Sequence, residues 1–176
     1  MGDLRSFFES GLTTPSCKDE LNYSQALYRA SNHESGGTYN MCATIAKNSS
    51  RVIGYNSLSE LAFLKSDVYP EFCGIHAELD AFISATRSNL NIDNSTIYIA
   101  GTNSNKKELD TTVPCFACMR LITQLSRISW IVCNYNGDTI KFRSKHGFNL
   151  LNRCTYPDYE ADWVKLAIFP QDQIAA

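Results

Sequence analysis

The sequence contains no apolar run that approaches the roughly 18 residues a membrane-spanning helix needs. Its first residues, Met1 to Arg5, lack the charged and apolar regions of a secretory signal. It also has no internal repeat and no low-complexity tract. These absences predict a soluble cytoplasmic protein that does not contact the membrane.

Basic residues do not outnumber acidic residues in this sequence. The 16 Lys and Arg residues are outnumbered by 18 Asp and Glu residues, which gives a formal net charge of −2. Proteins that bind long nucleic acids usually carry a basic face. The nearest feature here is a thin group of basic residues, namely Lys141, Arg143, Lys145 and Arg153. The charge balance therefore favours a small-molecule substrate over a polymer.

The seven cysteines are odd in number, and their spacing is irregular except between Cys115 and Cys118. Without a secretory signal, this favours a reducing compartment in which the thiols serve as ligands or core residues. Cys42 and Cys133 lie in strand-like apolar runs, so we expect them to be buried. Gly36 and Gly37 are typical of a loop, and we expect the nearby His33 to be a solvated residue of that loop. His146 also lies in polar surroundings, so we expect it to be solvated.

The order of predicted elements indicates a layered α/β domain. Apolar residues recur at helical spacing in three segments, and five apolar runs are typical of strands. The predicted helices span 23–30, 76–87 and 115–125, and the predicted strands span 41–46, 51–55, 96–100, 129–135 and 139–143. Asn136-Gly137 is a hairpin turn signal, so the last two strands are expected to be antiparallel. Helices on the faces of a mixed, about five-stranded sheet follow.

Two short segments place metal-binding residue types at the starts of predicted helices. His76 and Glu78 begin one helix, and Cys115 and Cys118 begin the next, after Pro114. A helix N-terminus favours the thiolate, the form of cysteine that binds metal. One His and two Cys supply three ligands for tetrahedral zinc and leave the fourth position for water, as in catalytic sites. Glu78 could then move protons between that water and a substrate.

These segments resemble the zinc-dependent cytidine and deoxycytidylate deaminase superfamily, whose signature is H-x-E followed by P-C-x-x-C. The resemblance implies a three-layer α/β/α sandwich and one catalytic Zn²⁺ per chain. It implies that the zinc ligands are His76, Cys115 and Cys118, and that Glu78 is the catalytic proton shuttle. It also implies that the backbone of Ala77 lies beside the reacting amino group of the substrate.

A second segment extends the resemblance. Gly54-Tyr55-Asn56-Ser57 is similar to the segment whose Asn binds the sugar in deoxycytidylate deaminases, which implies that Asn56 contacts the substrate. Because Asn favours turns after strands, a turn role for Asn56 is the alternative. The similarity covers about residues 21–143. We therefore expect an N-terminal arm over 1–20, a deaminase core over 21–143, and a C-terminal extension over 144–176 that packs on the core.

The resemblance implies hydrolytic deamination of a free cytosine nucleotide or nucleoside to its uracil form, with dCMP as the leading expectation. The hairpin turn favours instead a cytidine or deoxycytidine deaminase, in which the final strand pair is antiparallel. A tRNA or single-stranded nucleic-acid deaminase is a further alternative. Outside enzymes, the alternative is a zinc-stabilised nucleotide-binding protein, or a structural zinc site with Cys73 as its fourth ligand. Members of the family commonly self-associate, so we expect a homo-oligomer.

Overall fold

The computed structural model describes residues 11–57, 75–124 and 127–146. Within these ranges the strands are β1 (Leu12–Thr13), β2 (Tyr39–Lys47), β3 (Ser50–Tyr55), β4 (Thr96–Asn103), β5 (Trp130–Tyr135) and β6 (Asp138–Arg143). The helices of this part are α1 (Cys17–Ser31), α2 (Ala77–Arg87) and α3 (Phe116–Gln124). None of these helices has the length and apolar character needed to cross a membrane.

The strands form one mixed sheet in the order β1-β6-β5-β4-β2-β3. Only β4 and β5 are parallel among the strand pairs of the described residues, and the other neighbours are antiparallel. The predicted antiparallel arrangement of the last two strands is confirmed. Asn136 and Gly137 connect them with φ values of 53° and 88°, which is the positive-φ pair that a type I′ hairpin turn requires.

Over the described ranges the sheet has six strands, so the expected number of about five is corrected. The additional strand is β1, which pairs with β6 through Leu12 and Thr13. Two residues are too few to show the alternation by which a strand is recognised in a sequence. Pairing with β6 alone makes this segment a strand.

The helices lie on both faces of the sheet and confirm the three-layer α/β/α arrangement. Because successive side chains of a strand point to opposite faces, β4 contributes to two separate cores. Tyr98 and Ala100 pack in one core with Ala26 of α1. Ile97 and Ile99 pack in the other core, together with residues of α2 and α3, Ala77 and Met119.

Helix α1 begins at Cys17, six residues before the start that apolar spacing predicts. Its first turn is held by a capping box, in which Ser16 and Asp19 exchange side-chain and backbone hydrogen bonds. Two polar residues of this part of the helix, Asp19 and Asn22, are buried. Apolar periodicity therefore underestimates the helix, since part of its inner face is polar.

Candidate active site

The first turn of α2 is held tightly against the sheet. His76 is the N-cap residue, with extended backbone (φ −81°, ψ 149°) and no capping hydrogen bond from its ring. The backbone of Gly54 in β3 lies directly against this turn, so a Cβ atom there would collide with the backbone of Ala77 and Ala81. The close approach places His76 at the end of β3 and buries Ala77 completely.

The start of α3 supplies the two thiols. Cys115 precedes the helix, and its carbonyl oxygen accepts a hydrogen bond from the N–H of Met119 at 2.8 Å. Cys118 lies in the first turn and is fully buried, whereas Cys115 is exposed. Leu79 of α2 packs against Cys118 and Leu121. The two helix starts that carry the sequence motifs are therefore neighbours on one face of the sheet.

The structure brings the three predicted zinc ligands together. The Sγ atoms of Cys115 and Cys118 each lie 3.4 Å from Nδ1 of His76. All three candidate ligand atoms lie within 4.8 Å of one another. In a tetrahedral site with typical Zn–S and Zn–N bond lengths, sulfur and nitrogen ligands lie about 3.5 Å apart. The donor set and its spacing thus fit a zinc ion.

The pKa values of the two thiols are shifted in opposite directions, because the thiols differ in position. A hydrogen bond with Cys118 lowers the pKa of Cys115 well below its usual range; burial opposes this, and the His76 ring lowers it further. Burial raises the pKa of Cys118 well above its usual range, and its bond to Cys115 adds to the effect. Two adjacent thiolates repel each other, and a bound dication removes that repulsion.

His76 faces the same negative charge. Burial lowers the pKa of its imidazole, but the hydrogen bond that the ring donates to the Cys115 thiolate and the charge on that thiolate outweigh burial and raise the pKa above its usual value. Glu78 adds to the increase. The cluster therefore attracts positive charge, which is the electrostatic character expected of a cation site.

Glu78 is a buried carboxyl group on the first turn of α2, only 5% exposed. Burial raises its pKa, and the nearby Cys115 thiolate raises it further, while His76 acts in the opposite direction. A buried carboxyl group whose pKa is raised above its usual value is of the kind that accepts and returns protons in active sites. Whether Glu78 does so in this protein stays a prediction.

Asn56 follows β3 and makes hydrogen bonds to β2. Its Oδ1 accepts the N–H of Met41 at 2.6 Å, and its Nδ2 donates to the carbonyl oxygen of Tyr39 at 2.9 Å. These bonds extend the β2–β3 pairing by one residue. They give the Asn56 side chain a structural role at the end of β3, and its substrate contact stays a prediction.

His33 is half-buried beside this segment, so the expectation that it is solvated is wrong. Its ring stacks on that of Tyr55 with 4.6 Å between centroids, and its Nε2 lies 2.8 Å from the carbonyl oxygen of Asn56. The partners lie more than 20 residues away along the chain, so local polarity does not reveal them. His146 is exposed, and Cys42 and Cys133 are buried, as predicted.

One contact near the site lies outside the motifs that the sequence reveals. The carboxylate of Asp80, in the first turn of α2, accepts the N–H of Tyr55 at 3.0 Å. The only local signal is that acidic residues are favourable in the first turn of a helix. Cys73, the candidate fourth ligand of a structural zinc site, and the predicted extension beyond residue 146 lie outside the described residues.

Known proteins and structures resemble this chain in sequence motif and in fold. Residues 16–134 match the family described as the cytidine and deoxycytidylate deaminase zinc-binding region. The 1.6 Å crystal structure of cytidine deaminase from Burkholderia pseudomallei is 17% identical, covers 72% of this chain and 94% of its own, and superposes with a TM-score of 0.52. This likeness supports the fold alone.

A second solved structure is that of a mutant cytidine deaminase from Mycobacterium tuberculosis. It is 13% identical, covers 69% of this chain and 87% of its own, and has a TM-score of 0.44. No curated protein sequence matches the chain. The family match covers more than half of the 176 residues and includes the His76, Cys115 and Cys118 cluster. The chain therefore belongs to the cytidine and deoxycytidylate deaminase family and carries its zinc-binding region.

Proposed function

We propose that the protein is a zinc-dependent hydrolase that deaminates a free cytosine nucleoside or nucleotide to its uracil form and releases ammonia. The observation that carries the proposal is the position of Glu78. This buried carboxyl group lies in the same helical turn as the His76 ligand, beside the two thiols. A structural zinc site has no need of a buried carboxyl group at its edge.

His76, Cys115 and Cys118 would hold the zinc, which supplies Lewis acidity and makes hydroxide available near neutral pH. In the proposed reaction, water adds to C4 of the pyrimidine ring. Glu78 takes one proton from this water and delivers it to ring N3. It then passes the second water proton to the amino group, the C4–N bond breaks, and ammonia leaves as the C4 carbonyl forms.

Backbone and side-chain groups around the site would orient the substrate. The backbone of Ala77, the first residue of α2, would lie beside the amino group that leaves. Asn56 would contact the sugar at the end of β3. These two roles rest on the family resemblance, and they agree with the close packing of β3 on the first turn of α2.

A Glu78→Gln variant tests the proposed reaction. It should release ammonia about 100- to 10,000-fold more slowly than wild-type protein, while its zinc content stays at the wild-type value. Glu34→Gln, a substitution of an exposed residue of the same type, is the control and should leave activity unchanged. Wild-type activity in Glu78→Gln would overturn the role of Glu78.

Two observations favour different substrates within this class. The antiparallel β5–β6 pair favours a free nucleoside such as cytidine or deoxycytidine. The Gly54-Tyr55-Asn56-Ser57 segment favours dCMP. The ratio of kcat/KM for deoxycytidine and dCMP decides between them, and parallel assays with CMP, adenosine and a short RNA test a ribonucleotide, a purine and a polymer as substrates.

The non-enzymatic alternative gives a different result in the same assay. A zinc-stabilised nucleotide-binding protein would bind these compounds with full zinc content and release no ammonia from any of them. We further propose that the protein forms a homo-oligomer in solution, as family members commonly do. Sedimentation velocity at several protein concentrations would reveal a monomer if this is wrong.

A further inference from the structure

The helix that carries the candidate catalytic groups and the strand that precedes Asn56 are joined by a side chain outside the recognised motifs. Asp80 lies on the first turn of α2, and its Oδ2 accepts the N–H of Tyr55 at 3.0 Å. The backbone N–H of Asp80 in turn donates to the carbonyl oxygen of His76 at 3.0 Å. One residue thus contacts both the N-cap residue of α2 and the end of β3.

The neighbouring residue of β3 brings the two elements into backbone contact. At Gly54 any Cβ atom would collide with the backbone of Ala77 and Ala81. Because no side chain separates strand and helix here, a short hydrogen bond from the next residue, Tyr55, can reach the helix. The close approach and the hydrogen bond together limit sliding of β3 along α2.

The residue after Tyr55 is held from the opposite side. The Asn56 side chain bonds to the backbone of Met41 and Tyr39 of β2, and its own N–H donates to the carbonyl oxygen of Met41 at 3.3 Å. A continuous series of short contacts therefore connects the turn of α2 to Asn56. It passes through the Asp80 carboxylate and the backbone of Tyr55.

We propose that Asp80 is a positioning residue, which sets the distance between the reacting centre at His76 and Glu78 and the substrate contact at Asn56. The inference rests on the proposed function. In a pyrimidine nucleoside a single covalent bond joins base and sugar, so the two groups would contact these two places at once only if the places are a set distance apart. A displacement of about 1 Å between them is expected to lower the rate about 100-fold. A carboxylate suits this role, since hydrogen bonds to a charged acceptor are the stronger ones.

The test compares Asp80→Ala with Asp80→Asn. The alanine variant should bind zinc as wild-type protein does, and its kcat/KM for the preferred cytosine compound should fall about 100-fold, with a part of that loss appearing as a higher KM. The asparagine variant keeps an oxygen that can accept the Tyr55 N–H, so most of the loss should be restored. Asp138→Ala, at an exposed position of β6, controls for removal of a carboxylate elsewhere.

A double-mutant cycle with Asn56→Ala separates positioning from general stability. If Asp80 acts by placing Asn56, the effect of Asp80→Ala on KM should be much smaller when Asn56 is already alanine. If Asp80 only stabilises the fold, Asp80→Ala should melt at lower temperature with or without Asn56→Ala, and Asp80→Ala by itself should leave KM unchanged. That second result would overturn the proposal.

Amide hydrogen exchange measured by NMR provides a readout that does not depend on activity. The N–H groups of Tyr55 and Asn56 should exchange faster in Asp80→Ala than in wild-type protein or Asp80→Asn. Wild-type protein that releases no ammonia would overturn the proposed function. In that case unchanged exchange in Asp80→Ala would also overturn the placement of β3 by Asp80, whereas faster exchange would support it.

Discussion

The ammonium group of Lys141 lies 2.8 Å from Oδ2 of Asp19, and both side chains are largely shielded from solvent. The contact joins β6 to the first turn of α1 on the face of the sheet opposite the candidate zinc site. Asp19 also accepts hydrogen bonds from the hydroxyl groups of Ser16 at 2.6 Å and Tyr98 at 2.9 Å. A buried charge with this many donors is sensitive to the loss of any one of them.

Lys141→Ala should therefore destabilise the protein by about 3 kcal/mol, because it leaves the Asp19 carboxylate buried without its counter-ion. Arg143→Ala is the matched control. Arg143 is an exposed residue of the same strand whose guanidinium lies 4.4 Å from the Trp130 ring centroid, and its loss should cost about 1 kcal/mol or less. Urea unfolding of both variants gives the comparison, and equal losses would contradict the prediction.

The same carboxylate predicts a dependence of stability on pH. Burial raises the pKa of Asp19, but hydrogen bonds from Lys141, Ser16 and Tyr98 outweigh it and lower the pKa to about 2. The unfolded value is near 4, so this stabilisation is fully present above about pH 4 and is lost as the pH falls towards 2. The stability difference between wild-type protein and Asp19→Asn should shrink by about 2 kcal/mol over that range. A difference independent of pH would contradict the assignment.

Gly54→Ala should destabilise the protein by about 3 kcal/mol or more, because the new methyl group collides with the backbone of α2 and neither chain can move locally. Gly101→Ala is the matched comparison in β4. There the methyl group would meet the side-chain ends of Met41 and Leu109, which are able to rotate, so the cost should be nearer 1 kcal/mol. Thermal unfolding of the two variants measures the difference, and a smaller loss for Gly54→Ala would contradict the described contact.

Cys118→Ser should bind zinc more than about 100-fold more weakly than wild-type protein, since loss of a direct ligand exceeds the 10- to 100-fold cost of losing an outer contact. Cys133→Ala removes another fully buried thiol and should keep one zinc per chain. Elemental analysis after gel filtration measures the zinc content of both variants.

Removal of zinc from wild-type protein by a chelator should lower the melting temperature, and zinc added back should restore it. About 4 kcal/mol of stability should be regained at a free zinc concentration 1,000 times the dissociation constant. In the first of these two experiments, full zinc content in Cys118→Ser would contradict the assignment of Cys118 as a zinc ligand.

The position of each zinc ligand was predictable from short stretches of chain, since His76 and Cys115 directly precede helices and Cys118 lies one turn into the second one. That the two segments meet, although His76 and Cys115 are 39 residues apart, was implied by the resemblance to the deaminase signature. The hairpin at Asn136 and Gly137 was predictable from a short stretch of chain as well, since its backbone conformation depends on those two residues.

Contacts between distant parts of the chain that belong to no family signature were not predictable. Asp19 and Lys141 are 122 residues apart, and no local pattern pairs them. The same holds for Asp80 with Tyr55, and for His33 with Asn56. The two-residue strand β1 and the buried polar start of α1 were also missed, because each depends on a partner in the sheet.

The sequence by itself determined the α/β class, the position of each main helix and strand, and the chemistry of a His-Cys-Cys zinc site with a neighbouring carboxyl group. The class and the elements depend on interactions within a few residues, where propensity and periodicity are informative, and the zinc site matches the signature of a known family. Only the tertiary structure decided which faces α1, α2 and α3 cover, which distant side chains neutralise Asp19, and how Asp80 and Gly54 hold β3 on the turn that carries His76 and Glu78. Those arrangements depend on the order of strands in the sheet, which brings residues together across distances along the chain that no local pattern encodes.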